Sequence, residues 1–172
     1  MKRIIWVSGL LLISLCGISQ IRYAKKIEVG YLNFRYTTIN YDMLPGAPYD
    51  PVKLNNQQNG IDINVINGIS FKEKLFAGVG VGYLNFEGIS GVGVFADLQY
   101  TPFKWKLSPY VNSKFGYSHI WNQYPNGAGS GIVELDAGLR FKVSDKLSIY
   151  AQSGIYYSQD SFLIPIRLGV MF

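Results

Sequence analysis

Segments in which apolar and polar side chains alternate recur along this chain, and no other feature constrains its fold as strongly. In residues 131–143 the odd-numbered positions from Val133 onward are apolar, whereas the even-numbered positions include Glu134, Asp136, Arg140 and Lys142. Successive side chains of a strand point to opposite faces, so this pattern predicts an amphipathic strand. Four charges on one face cannot lie in an apolar core without partners.

The same alternation predicts eight strands, each long enough to cross a bilayer when tilted. They are residues 26–38, 60–71, 75–84, 91–101, 110–121, 131–143, 147–158 and 162–172. The first changes phase, because Val29 and Tyr31 lie on one face and Leu32 and Phe34 on the other, which predicts a bulge near residues 30–33. Beyond residue 21 no uninterrupted apolar run is long enough for a transmembrane helix.

The first twenty residues have the pattern of a secretory signal peptide. Lys2 and Arg3 precede an apolar run over residues 4–18, and Ser19 and Gln20 follow it. We expect residues 1–20 to be removed, leaving residues 21–172 as one domain. The only cysteine, Cys16, then leaves with the peptide, so the mature chain has no thiol chemistry. A lipoprotein signal would need a small residue at the position of Leu15.

Charge and composition exclude several functions. The formal charge is +5, and without Lys2 and Arg3 the balance is 14 − 11 = +3, too weak to indicate nucleic-acid binding. Basic and aromatic residues interleave only at 103–106, which indicates an interfacial turn. One histidine and no mature cysteine supply no metal-ligand cluster, and no phosphate-binding loop is present, so no cofactor is expected.

The nature of the polar faces favours a membrane barrel over a soluble one. In a soluble sheet these faces would be rich in Lys and Glu toward water, but here they are rich in glycine with few charges. Aromatic residues collect near the strand ends, as in the girdles of lipid-facing bands. The two predicted girdles are Tyr31, Tyr83, Tyr117, Trp121 and Tyr157, and Phe71, Tyr100, Trp105, Phe141 and Phe172. A soluble lipocalin-like carrier of a small ligand remains the alternative.

Connection lengths predict the orientation. Tight turns follow the second and sixth strands, whereas the longest connections are residues 39–59 and 122–130, at the opposite end of the sheet. Both ends of the mature chain lie on the tight-turn side. We therefore expect periplasmic termini and turns, with loop 39–59 as the surface for a possible partner.

The last six residues, Arg-Leu-Gly-Val-Met-Phe, are similar to the terminal motif of a known family. The whole mature chain resembles the small eight-stranded OmpA/OmpX-type, porin-family outer-membrane barrels of Gram-negative bacteria. This resemblance implies an all-β, antiparallel up-and-down transmembrane barrel in the outer membrane, in contact with its lipid. It also implies that insertion machinery recognises the C-terminal strand through Gly169 and Phe172.

Eight strands enclose an interior that side chains just fill, so no open pore is expected. Charged residues on the inward faces must pair there. The predicted lumen network is Asp62, Asp97, Lys114, Glu134, Asp136, Arg140, Lys142 and Arg167. We expect Glu134 or Asp136 to pair with Arg140, Lys114 or Arg167. This network either fixes the strand register as a polar plug or forms a gated path for ions or protons.

Some eight-stranded barrels act on lipid A with a His, a Ser two residues later and an acid on the next strand. Here His119 is the only histidine, but Trp121 occupies the position of the nucleophile. Glu134, the nearest acid on the next strand, has the inward phase, whereas His119 has the outward phase. A base and its nucleophile must lie within hydrogen-bond reach, so we predict a non-enzymatic protein, with a lipid-modifying outer-membrane enzyme as a second alternative.

Overall fold

The structure is a computed structural model, and it describes residues 21–37, 54, 58–121 and 127–172. The predicted signal peptide with Cys16 and nearly all of loop 39–59 lie outside these residues. No helix within the described ranges is long and apolar enough to cross a membrane.

The described chain is all-β, and its eight strands form one closed antiparallel barrel. Each strand pairs with the next along the chain, and β1 pairs with β8 to complete the closure. The predicted up-and-down barrel is therefore confirmed. The strands are β1 (Ile21–Thr37), β2 (Gly60–Phe71), β3 (Leu75–Phe86), β4 (Ile89–Tyr100), β5 (Leu107–Ile120), β6 (Ala128–Lys142), β7 (Ser148–Ser158) and β8 (Ser161–Met171).

Two of the connections are two-residue turns that require left-handed backbone. Between β3 and β4, Glu87 and Gly88 have φ of 50° and 101°, and between β7 and β8, Gln159 and Asp160 have φ of 52° and 50°. Positive φ at both central residues is the mark of the type I′ turn, whose twist matches that of paired strands. Both turns lie at the same end of the barrel as the connections β1–β2 and β5–β6, and we call this the loop end. The other end, with residues 72–74, 101–106 and 143–147, is the turn end.

The irregularity of β1 lies further along the strand than predicted. Pairing between β1 and β8 is regular from Lys26 to Phe34, and the register shifts between Phe34 and Tyr36. The predicted bulge at residues 30–33 is wrong because Leu32 keeps the inward phase and is fully buried. The inserted residue instead brings Tyr36 to the outer wall, where its ring lies 5.1 Å from that of Phe162.

The barrel reverses the usual distribution of polarity. Large apolar side chains on the outer wall are exposed, among them Leu168 at 66% and Val79 at 62%. Inward positions of the same strands hold charged side chains, and Lys26 and Asp97 are 0% exposed. A water-soluble barrel has its apolar face inside. The outer wall is therefore suited to hydrocarbon.

Candidate functional site

The centre of the barrel holds a cluster of buried charges on β1, β2, β4, β5, β6 and β8. Alternation along these strands directs the side chains inward, and none is more than 5% exposed. We call this cluster the lumen network. Its members are Lys26, Glu28, Asp62, Asp97, Lys114, Glu134, Asp136 and Arg167.

Arg167 of β8 connects two walls of the barrel. Its guanidinium donates from Nε and Nη2 to Oδ2 of Asp62 at 2.9 and 2.6 Å, and Nη1 donates to Glu134. The same Nη1 lies 3.8 Å from Oδ2 of Asp136. Gly30 leaves room for this arrangement, since a Cβ there would overlap Asp62 and Arg167. Charge-assisted hydrogen bonds of this kind are about twice as strong as neutral ones.

Two lysines extend the network toward β1 and β4. Lys114 Nζ donates to Glu28 Oε2 at 2.5 Å and lies 3.4 Å from Glu134 Oε1. Lys26 Nζ donates to Asp97 Oδ1 at 2.9 Å. The other carboxylate oxygen of Glu28 accepts a hydrogen bond from the Tyr150 hydroxyl at 2.9 Å. Each cation of the network therefore has a carboxylate partner.

The network contains more acids than bases. Five carboxylates face three cations, so the formal sum is 3 − 5 = −2. One oxygen each of Asp62, Asp97, Glu134 and Asp136 has no hydrogen-bond donor among the described residues. Gln152 partly compensates by donating to Asp136 Oδ2 at 3.0 Å. The interior thus offers acceptors in excess, in a place where unpaired charge is costly.

Apolar side chains fill the lumen on both sides of the network. The loop-end cluster comprises Leu32, Leu54, Leu84, Phe86, Ile89, Ile120, Ala128, Ile132, Tyr156 and Leu163. The second cluster, toward the turn end, comprises Ala24, Ile66, Phe76, Phe95, Tyr110, Tyr150 and Met171.

The filling of the lumen depends on glycine. A Cβ at Gly80 would come within 2.6 Å of the Phe95 ring, so glycine at this position allows the ring to lie across the interior. A cavity of about 10 Å³ remains beside Asp62, Lys114 and Glu134. This is close to the smallest space that holds one water molecule, so the described side chains nearly fill the lumen beside these three residues.

Six of the eight predicted network residues lie in the lumen network, and two do not. Arg140 and Lys142 have the inward phase but lie at the turn end. Arg140 donates to the backbone carbonyl of Glu73 at 3.3 Å, and Lys142 pairs with the exposed carboxylates of Glu73 and Asp145 at 3.4 and 3.1 Å. The expected pairing of Glu134 or Asp136 with Arg140 is absent from the described contacts, whereas Lys114 and Arg167 do contact Glu134.

Sequence reasoning missed two members of the network, Lys26 and Glu28. Their signal was present, since both have the phase opposite to Ile27 and Val29. The bulge predicted in β1 hid this alternation, because it placed a change of phase within the strand. Once the register shift is placed after Phe34, the strand from Ala24 to Leu32 alternates regularly and its charges point inward.

The residues considered for lipid hydrolysis lie on opposite sides of the wall. His119 is half-buried on the outer surface, with its ring 5.1 Å from that of Trp121. Glu134 is buried inside and bound to Arg167 and Lys114. Ser118 points inward and contacts Ser158 at 2.9 Å. No set of His, Cys, Asp and Glu in the described ranges is arranged to hold a metal ion.

The aromatic residues predicted as girdles lie on the outer wall. Tyr117 is 57% exposed toward the loop end, and Trp105 is 59% exposed at the turn end. Of the predicted assembly residues, Phe172 is exposed at the turn end, whereas Gly169 has the inward phase. A Cβ at Gly169 would overlap the Tyr150 ring, so this glycine also makes room for the ring.

Comparison with solved structures identifies barrels of the same architecture. Neisserial surface protein A matches with a TM-score of 0.65 and 9% identity, over 88% of this chain and 97% of that one. The N-terminal β-barrel domain of Pseudomonas aeruginosa OprF matches with a TM-score of 0.56 and 13% identity, over 87% of this chain and 97% of the domain. No family model matches the sequence. Comparison with curated proteins finds no sequence relative.

These similarities establish the fold alone. The chain has the eight-stranded transmembrane-barrel architecture found in outer-membrane proteins. The apolar outer wall and the charged interior are the distribution that this architecture needs in a bilayer.

Proposed function

We propose that the protein is an integral outer-membrane barrel with a structural or surface-interaction role, without an open pore and without enzymatic activity. One observation carries this proposal: the exposed side chains of the wall are apolar, while the charged side chains are buried inside. Such a surface is stable against lipid tails and would aggregate in water. The filled lumen supports a role that does not depend on diffusion through the barrel.

The proposed orientation places the turn end and the chain termini in the periplasm. Lysines concentrate at that end, where they are suited to contact with anionic headgroups or the cell-wall side. They are Lys72, Lys74, Lys104, Lys106 and Lys146. Loop 39–59 would then face the exterior as the surface for a partner. In this orientation β8, with Gly169 and Phe172, would be the strand that the insertion machinery recognises.

Cell fractionation combined with gel mobility tests the proposal. We expect the mature chain in the outer-membrane fraction, extractable only by detergent. Unboiled and boiled samples should migrate differently, because a closed membrane barrel resists unfolding by the gel detergent. A protein that is soluble without detergent and loses its structure on mild heating would instead be the soluble carrier.

Planar-bilayer recordings test the closed lumen. We expect no steady conductance of the size given by water-filled barrels, because the network and the two apolar clusters block the path. Persistent open-channel currents from a purified, correctly folded sample would contradict a closed lumen. Lipid hydrolysis by the protein that is lost in His119→Ala would contradict the non-enzymatic role.

A further inference from the structure

Unlike the cations of the lumen network, Arg140 forms no ion pair with a carboxylate in the part of the chain that the structure describes. It is only 8% exposed, and its hydrogen bond is to the backbone carbonyl of Glu73 at 3.3 Å. Among the described residues, no carboxylate oxygen lies within 4.0 Å of its guanidinium. A guanidinium has five N–H donors, and a buried one requires compensation by acceptors. Most of its donor capacity is therefore available.

Arg140 borders a pocket of about 50 Å³ at the turn end of the barrel. This is several times the space that one water molecule needs, and it suits a small polyatomic group. We call it the turn-end pocket. Its charged side chains are Arg22, Glu73, Arg140, Lys142, Asp145 and Lys146.

The charges around the pocket favour an anion. Four cationic side chains face two acidic ones, so the sum over side chains is 4 − 2 = +2. Both acids contact Lys142, at 3.4 and 3.1 Å, and Arg22 donates to the backbone carbonyl of Asp145. The hydroxyl-bearing residues Ser70 and Ser148 line the same pocket and offer further donors.

We propose that the turn-end pocket binds a phosphate group, with Arg140 as its principal ligand and Lys146 as an electrostatic contributor. The planar fork of arginine matches two phosphate oxygens at once, and the pocket admits such a group beside it. Lys142 and Arg22 hold the turn residues Glu73 and Asp145 and so keep the mouth of the pocket in place. The phosphate comes from a phospholipid headgroup at the membrane surface or from solution.

Titration of the folded mature chain in an uncharged, phosphate-free detergent tests this site. Inorganic phosphate is added while the side-chain Nε–Hε resonance of Arg140 is followed by NMR. We expect a saturable shift of that resonance. Arg140→Gln should weaken phosphate binding, followed by calorimetry, about tenfold or more, and Lys146→Gln about two- to threefold.

The matched control is Arg35→Gln, which removes an exposed arginine from the loop-end part of β1. Phosphate affinity should not change in this variant. If Arg35→Gln weakens binding as much as Arg140→Gln does, the attraction is diffuse and the site does not exist. If neither inorganic phosphate nor the short-chain lipid described below produces a saturable shift, the proposal is overturned. If Arg140→Gln does not fold, the Lys146→Gln variant still provides the test, because Lys146 is exposed and its substitution should weaken phosphate binding about two- to threefold.

A second titration distinguishes the sources of phosphate. Dihexanoyl phosphatidylglycerol, a short-chain lipid, is added in place of inorganic phosphate. Saturation of the Arg140 shift at lower lipid than phosphate concentration supports the site and assigns it to a headgroup. Saturation by inorganic phosphate alone supports the site and assigns it to free phosphate. A lack of response to both probes overturns it.

Discussion

The lumen network and the turn-end pocket are both built from charged side chains, but they differ in net charge, in exposure to solvent and in the pairing of their cations. The network is sealed, has two more acids than bases, and gives every cation a carboxylate at hydrogen-bond or salt-bridge distance. The pocket is open to solvent and has two more cationic than acidic side chains, and no carboxylate of the described residues forms an ion pair with Arg140. The network therefore contributes to holding the strands together, and the pocket is free to bind.

The difference follows from position along the barrel axis. Charges at the centre are surrounded by the barrel wall and two apolar clusters, so their interactions are strong and their isolation is costly. Charges at the mouth contact water, which screens them and lets turns such as residues 72–74 supply partners. Substitutions should accordingly affect stability in the network and ligand affinity at the pocket.

The largest expected effect is that of Arg167→Met. This change leaves the carboxylate of Asp62 buried without its cation and leaves Glu134 with Lys114 alone. Removing one partner of a buried pair costs about 3–5 kcal/mol. Urea unfolding in detergent, followed by tryptophan fluorescence, measures the loss. Arg35→Gln, at an exposed position, should change the free energy of unfolding far less. Equal effects of the two variants would show that the network does not stabilise the barrel.

The acid excess of the network predicts unequal effects for two similar substitutions. Asp62→Asn weakens two charge-assisted hydrogen bonds from Arg167 and should cost about 2 kcal/mol. Asp136→Asn removes a carboxylate 3.8 Å from Arg167 while relieving negative charge, so its effect should stay within about 1 kcal/mol. The same urea titration compares them. A greater loss for Asp136→Asn would contradict the description of the network as acid-rich.

Arg140→Gln tests whether the pocket is uncoupled from stability. In phosphate-free buffer it should change the free energy of unfolding by less than about 1 kcal/mol, because it removes one hydrogen bond to a neutral carbonyl. Added phosphate should stabilise the unsubstituted protein but not the variant, since a ligand that binds only the folded state raises stability. Unfolding midpoints with and without phosphate decide this point. A large loss without phosphate would place Arg140 with the structural charges.

Lys142→Gln should have the smallest effect. Lys142 makes two ion pairs with exposed acids of the turns, and such pairs contribute at most about 1 kcal/mol. Its effect should also shrink further in high salt, where exposed pairs are screened. Unfolding at low and high ionic strength measures it. An effect that persists in high salt would indicate that Lys142 belongs with the buried network.

Much of the barrel was readable from alternation alone. In β6, the inward phase of Glu134 and the outward phase of Leu135 follow from a repeat of two residues, which the strand geometry imposes. The tight turns expected after β2 and β6 are short connections in the structure as well, over residues 72–74 and 143–147. The bulge in β1 was misplaced because apolar Leu32 and Phe34 point inward in a filled lumen, which mimics a change of phase.

The position of a residue along the barrel axis also follows from the sequence, because each strand residue adds a fixed rise. Arg140 follows Glu134 by six residues, and at about 3.3 Å per residue the two lie about 20 Å apart along β6. That separation excludes a direct ion pair between them. Arg140 and Lys142 therefore have the inward phase predicted for them but lie at the turn end, apart from Glu134.

Outside β1, the sequence by itself determined which side chains face outward and which face inward, because alternation is a local property of each strand. It also determined that the inward charges need partners. Only the closed barrel determined which residues are those partners. Lys26 reaches Asp97 and Lys114 reaches Glu28 across the interior, through contacts between strands far apart in the chain. Such pairs depend on the closure of β1 on β8 and on the register of every pair of neighbouring strands. No local sequence pattern determines the combined effect of these registers.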